Sequence, residues 1–327
     1  MTQRILVTGA AGFIGSHTCE HLLEQGLQVI GVDNFDPHYD RSVKERWLGH
    51  LSGRSGFRFV ELDVRAREEL EGLLADVDAV VHLAARPGVR SSFEEAGAHV
   101  SINIGGTGAL LQACAGAEVD RVVVASSSSV YGEGVTAPFP EHAADLSPLS
   151  PYALSKLAAE RMWRAGAEKH GLRVAALRFF SVYGPRQRPD QAIMRFTHRL
   201  AGGELIRQFG NARSTRDYTH VHDAVRGVLA ALEWTSGARS GCEIFNIGSG
   251  RPVELGEVIR LVGQALGVKP RVRKVSRRRG DARFTHADLS KARATLDLEP
   301  RVGIEDGIAQ FVTWYEETYG RQSRATA

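Results

Sequence analysis

Cysteine is scarce: three residues among 327, at positions 19, 114 and 242, each standing alone. An odd, scattered set argues against a disulfide framework, and none has metal-ligand spacing. Cys19, Cys114 and Cys242 read as small buried apolar side chains in a reducing compartment, and no metal site is expected. Charge of one sign is also missing. The net charge of +3 gives no argument for nucleic acid, although anionic small molecules fit it. No apolar run approaches the length of a membrane span. The chain enters a strand at Arg4, which leaves no room for a signal peptide. Internal repeats, low-complexity segments and long linkers are lacking too. The expectation is a cytoplasmic enzyme with a small-molecule substrate and neither nucleic acid nor membrane as partner.

What is present is ordinary for a globular chain: 43% hydrophobic and 24% charged residues, with length for one large or two coupled domains. The first β-branched run, 4–8, meets Gly9-Ala10-Ala11-Gly12-Phe13-Ile14-Gly15. A helix over 16–25 and a strand over 27–32 follow, closing at Asp33. Strand, glycine loop, helix and an acid about 20 residues on form a dinucleotide-binding unit. Its glycines let the backbone approach a pyrophosphate, whose charge the helix N-terminus meets. Asp33 can accept bonds from both hydroxyls of an adenosine ribose and would repel a 2′-phosphate, which favours NAD over NADP.

The alternation continues, with strands over 57–62, 79–83, 121–125 and 174–179, and helices over 68–74, 94–115 and 152–170. Near-continuous apolar strands alternating with helices predict a doubly wound parallel α/β sheet of Rossmann type, with ligands at the carboxyl strand ends. Asp33, Asp63, residues 84–90 and Ser126 to Ser129 all fall there. The segment 39–56, with Trp47, reads as a surface loop and helix. Beyond Pro185 the pattern predicts helices over 193–201, 223–232, 254–266, 288–296 and 304–319, and strands over 205–209 and 243–247. The expected division is a cofactor domain over 1–180, joined again by 212–247. A smaller α/β substrate domain takes 181–211 and 248–327. The basic run 271–279 is a solvated face or a local anion site.

Two stretches bear chemistry. One is Ser126-Ser127-Ser128-Ser129-Val130-Tyr131-Gly132; the other is Pro151-Tyr152-Ala153-Leu154-Ser155-Lys156. On a helix, Tyr152 and Lys156 share a face. An ammonium beside a phenol lowers its pKa, and a tyrosine so tuned can act as a general base.

TGAAGFIG, HLAA, SSSSVYG, YALSK, RFFSVYGP, RDYTHVHD, FNIGSG and GDARFTHADLSKAR together resemble the extended short-chain dehydrogenase/reductases that act on nucleotide sugars. The likeness runs from Ile5 to about Pro300. Within that group the chain resembles the UDP-sugar 4-epimerases, and HLAARPGVR with YGPRQRPD is similar to the UDP-glucuronate 4-epimerases. The resemblance implies that Gly9, Gly12, Phe13, Ile14 and Gly15 hold the NAD pyrophosphate and Asp33 the adenosine ribose. It sets Asp63 and Val64 beside the adenine, with Asn34, Leu83, Ala84, Ala85 and Phe179 along the cofactor. Tyr152 is then the base, Lys156 binds the nicotinamide ribose, and Ser127 bonds the reacting sugar oxygen. Arg216 and Arg278 would meet the UDP phosphates, Phe209 the uracil and Asp281 the ribose. The same analogy implies a homodimer built on helices 94–115 and 152–170.

The implied reaction removes the proton and hydride from C4 of the sugar, rotates the keto sugar, and returns the hydride to its other face. Dehydratases and decarboxylases of this group carry acids after the catalytic hydroxyl, where this chain has Ser128 and Ser129. Hydroxyls at Ser127, Ser128, Ser129 and Ser181 could instead grip a uronate carboxylate. Arg188 is the first choice of counter-charge, ahead of Arg90 and Arg186, while Arg86 stands where relatives have a small or uncharged residue. The alternatives are a UDP-glucose/UDP-galactose epimerase, a dehydratase, a keto-sugar reductase and a non-catalytic NAD-binding regulator.

Overall fold

The computed structural model describes residues 3–209, 214–276 and 284–320. In chain order the first half contains β1 (Arg4–Thr8), α1 (Phe13–Glu24), β2 (Gln28–Asp33), α2 (Arg41–Gly49), β3 (Phe57–Glu61), α3 (Arg67–Leu74) and β4 (Ala79–His82). There follow α4 (Ser91–Glu94), α5 (Ala96–His99), a π turn (Val100–Gly105), α6 (Gly106–Gly116), β5 (Arg121–Ser127), a 3-10 turn (Ser128–Tyr131), α7 (Pro151–His170) and β6 (Arg173–Phe179). The second half brings β7 (Ser181–Tyr183), α8 (Ala192–Ala201), β8 (Ile206–Phe209), β9 (Thr215–His220), α9 (Val221–Gly237) and β10 (Gly241–Ile247). It ends with β11 (Pro252–Glu254), α10 (Leu255–Leu266), β12 (Val272–Val275), α11 (Ser290–Leu296) and α12 (Ile304–Tyr319).

Seven parallel strands form one sheet in the order β10-β6-β5-β4-β1-β2-β3. Helices α1, α9 and α11 cover one face through Phe13, Leu22, Val225, Val228 and Leu296. Helices α3, α6 and α7 cover the other through Leu70, Leu74, Leu110, Trp163 and Ala167. Burial on both faces is why the strands read as unbroken apolar runs and not as alternations. Strand order turns around between β1 and β4, and the crevice at that reversal is where such sheets take ligands.

The helix expected over 94–115 is instead three pieces. Its widened turn contains Asn103, whose side chain accepts from the Arg86 amide at 2.7 Å and donates to the Arg86 carbonyl at 3.0 Å. Gly105 and Gly106 follow, which weaken the regular helical ladder. Trp47 is not a surface residue: it is 1% exposed. Lys44, Trp47, Leu48 and Leu51 form an inward stripe at helical spacing, and the lysine within it disguises the apolar pattern.

The smaller part has its own core of Ile193, Leu200, Val258, Val262, Phe311 and Tyr315. Strands β11, β9 and β7 make a three-stranded sheet, and β12 pairs with β8. Within the stretch 212–247, β9 therefore joins the small sheet, while β10 lies at the edge of the large one. Polar β9 is buried because Asp217 finds four partners. Its carboxylate accepts from the amides of Ser249 (2.7 Å), Gly250 (3.0 Å) and Ala287 (3.0 Å) and from the Ser249 hydroxyl (2.7 Å). The basic run splits: β12 takes Val272–Val275, and 277–279 lie outside the described residues.

Candidate active site

One deep cleft of about 440 Å³ runs along the carboxyl ends of the central strands. At its start, Gly9 adopts φ +73°, and its amide and that of Ala10 donate to the Val32 carbonyl at 2.7 and 3.1 Å. A β-carbon at Gly9 would lie 2.8 Å from the Ala84 nitrogen, and one at Gly15 would lie 1.9 Å from the Gly9 oxygen. The turn is thus closed to side chains and open to a ligand's phosphates. Gly12, Phe13, Ile14 and Gly15 line it at the N-terminus of α1.

Asp33 closes β2. Its Oδ1 accepts from the Phe35 amide at 2.8 Å and from the Lys44 ammonium at 3.2 Å, both partners buried. Lys44 escaped sequence reasoning because it sits on a helix that looked superficial. The usable signal was its i, i+3, i+4 relation to Trp47 and Leu48. Asn34 and Val64 line the cleft. Asp63 stands behind them, accepting from Asn34 at 2.8 Å and from Arg65, whose hydrogen bonds hold its carboxyl at about 2.

Beyond Asp33 and Asn34 the lining passes Leu83, Ala84, Ala85, Pro87, Gly88 and Val89 to Ser127, Ser128, Ser129, Tyr152, Lys156, Phe179, Ser181, Arg188 and Arg216. The N-cap Ser150 and Pro151 start α7 so that Tyr152 and Lys156 face β5. Lys156 Nζ donates to the Ala125 carbonyl at 2.9 Å. Ser127 Oγ accepts from the Ser129 amide at 3.2 Å and the Ser129 hydroxyl at 2.9 Å. Burial raises the Tyr152 phenol above its ordinary pKa, opposed by its hydrogen bond with Ser127 and the charge of Arg188. The expectation of a phenol lowered by Lys156 is thus corrected. Burial outweighs the Ser127 hydrogen bond and the Arg188 charge, and burial also lowers Lys156 to about 8.

The arginines divide. Arg188 lines the cleft but binds Asp190 at 3.0 and 3.2 Å, and His38 lies 3.5 Å from the same carboxylate. Arg186 turns away to Glu20 at 2.6 Å. Arg86 bridges Asp36 and Glu95. Arg90 stacks over Phe209 at 5.8 Å, and the cleft lining among the described residues includes neither. Arg278 and Asp281 lie outside the described residues.

A profile of the NAD dependent epimerase/dehydratase family matches residues 5–248. The chain belongs to that family. A UDP-glucuronate 4-epimerase of Thermodesulfobacterium geofontis is 37% identical, over 95% of this chain and 96% of the relative. A UDP-glucuronic acid 4-epimerase of Bacillus cereus, solved with UDP-glucuronic acid and NAD, superposes with a TM-score of 0.90 at 36% identity. That match covers 97% of this chain and 100% of the other. A Thermotoga maritima UDP-glucose 4-epimerase, solved with UDP-glucose, gives 0.85 at 32%, covering 97% and 99%. The Rossmann-type sheet is common to the family.

Proposed function

We propose that the protein is an NAD-dependent UDP-sugar 4-epimerase, and that its sugar is glucuronate, exchanged with galacturonate. One observation carries this reading. Tyr152 and Lys156 share a cleft with Ser127, Ser128, Ser129, Ser181 and Arg188. The likeness to UDP-glucuronate 4-epimerases over nearly the whole chain supports it.

The residues present fit NAD: a glycine turn that a single β-carbon would block, a carboxylate at the end of β2, and a buried lysine beside it. Bound there, NAD supplies the acceptor for the C4 hydride and its donor on return. Asp33 and Lys44 hold the adenosine ribose, and the Asp33 charge disfavours a 2′-phosphate. Tyr152 takes the proton of the sugar 4-hydroxyl and restores it after the sugar has turned. Burial alone keeps the phenol protonated, so the reaction requires nearby cations. Arg188 already pulls the phenol pKa down, and Lys156 stands one helical turn away. Ser127 donates to the reacting oxygen. Arg216 is assigned to the diphosphate.

Oxidation of a uronate at C4 creates a β-keto acid, which loses carbon dioxide when its carboxyl bond aligns with the carbonyl π system. Hydroxyls of Ser128, Ser129 and Ser181 can hold the carboxylate out of that alignment. Positions 128 and 129 present no acid to drive elimination of water. Arg188 adds a bidentate counter-charge. Its pairing with Asp190 favours a second reading, a neutral UDP-hexose, because Asp190 already neutralises the guanidinium.

The test follows the C4 epimers by NMR with purified enzyme and UDP-glucuronate or UDP-glucose in parallel. Turnover of UDP-glucuronate is expected, and turnover of UDP-glucose alone would replace the uronate reading by the second one. Tyr152→Phe is expected to retain NAD and UDP binding while turnover drops by about 10²-fold or more.

We also place the enzyme in the cytoplasm, where its three free thiols stay reduced, and propose a homodimer. Phe93, Val100 and Leu154 are 51%, 53% and 57% exposed on α4, the π turn and α7, apolar area that a second copy would cover. Among the described residues no helix is long and apolar enough to cross a membrane. The division into a cofactor part and a substrate part is kept as proposed, with β9 moved to the substrate part.

A further inference from the structure

Beneath the reacting groups lies a buried polar layer that this chemistry does not use. Glu160, one turn beyond Lys156 on α7, is 4% exposed, and Arg178 on β6 is 1% exposed. Arg178 Nε donates to Glu160 Oε1 at 2.9 Å, and Nη2 donates to Oε2 at 2.8 Å. The Ser126 hydroxyl donates to the same Oε1. Ser126 is also the register partner of Arg178 across β5 and β6. Arg178 further donates to the Glu141 carbonyl at 3.2 Å and lies 4.7 Å over the Tyr131 ring, in the turn that holds Ser128 and Ser129.

We propose that Glu160, backed by Arg178, is a positioning residue for the reaction: it fixes the Ser126–Ser127 end of β5 against α7, one helical turn from Lys156. The inference rests on the roles assigned above to Tyr152 and Lys156. Two consecutive residues of β5 are tied to one helix, Ala125 by the Lys156 ammonium and Ser126 by the Glu160 carboxylate. Ser127 follows directly, so its hydroxyl is presented to Tyr152 at a height those two bonds define. Charge acts alongside geometry. Burial disfavours the Lys156 ammonium, and the Glu160 anion favours it. The other titratable neighbours do not substitute for it. His82 on β4 is buried and held near 3 by burial and by Lys156, so it is neutral. Tyr152 is protonated, and Arg178 is spent on Glu160.

The experiment uses NAD-loaded protein labelled with [13Cε]lysine. The chain has six lysines, at 44, 156, 169, 269, 274 and 291, and Lys156→Arg identifies the relevant signal. In Glu160→Gln the Lys156 titration is expected to move about 1 pH unit lower. The alkaline limb of turnover moves with it, kcat falls about tenfold, and KM for UDP-glucuronate changes less than about twofold. Glu160→Asp, which keeps the charge at a shorter reach, returns the titration to its wild-type position while kcat stays low. Ser126→Ala lowers kcat and leaves the titration in place. A Glu160→Gln protein that loses thermal stability alone, with titration, limb and kcat unchanged, overturns the proposal. Should that variant not fold, unchanged kcat in Ser126→Ala overturns it. The lysine titration needs no substrate, so a failed epimerase assay sinks the functional reading and leaves this one to be judged by NMR.

Discussion

At the scale of the residue, the Asp33–Lys44 pair separates what sequence shows from what it hides. Asp33 is legible because a strand, a glycine loop and a helix precede it at known spacing. Lys44 is invisible by the same logic: nothing local says that a lysine eleven positions later folds back onto that carboxylate. The pair is buried, so removing one partner leaves an uncompensated charge, at a cost of about 3–5 kcal/mol. Lys44→Met is expected to lower unfolding free energy by that order in urea titrations. Asp33→Asn combined with Lys44→Met should recover much of the loss, and simple additivity of the two changes would contradict the coupling. Tyr152 and Lys156 were equally legible as a spacing, but their protonation was not. Burial, which no motif records, turned an expected acidic phenol into one raised above its ordinary pKa.

At the scale of the element, long apolar strands were read well because both faces of the sheet are covered. Elements whose inward side is polar were not. Helix α2 hides its stripe behind Lys44, and β9 hides its burial behind Asp217. The junction of α1 with α9 is a third polar interior. His17, His220 and His222 meet there, with ring centroids 4.9 Å apart for the last two and 5.7 Å for His17 and His222. Burial lowers all three. Arg186 adds to the effect on His17 and His222, and His220 falls to about 4. Above pH 6.5 these rings are neutral in the folded and unfolded chain alike. As pH falls below that value the unfolded chain binds protons that the folded chain, with all three pKa values lowered, refuses, so stability declines. The urea midpoint at pH 5 is expected to lie below that at pH 7.5. A constant midpoint would show that the rings are reached by water and protonated without unfolding.

At the scale of the whole molecule, the alternation of strands and helices was sufficient to foresee a doubly wound sheet with its ligands at the carboxyl ends. The small sheet β11-β9-β7 was not foreseeable, since its strands are three to six residues long and drawn from distant parts of the chain. Strand order has one more consequence, for the chain as it is made. Six strands of the large sheet are complete by Phe179, but the seventh, β10, starts at Gly241. A ribosome must therefore synthesise about sixty further residues while β6 waits as an unpaired edge, and such edges recruit other strands. Asn246, which accepts from Tyr131 at 2.7 Å, arrives on that late strand and completes the layer around Arg178. A chain stopped at residue 240 is expected to scatter more light than the 327-residue chain at equal concentration. Emergence of β10 covers β6 and moves the sheet's edge outward to a strand whose first three residues, Gly241, Cys242 and Glu243, are not buried.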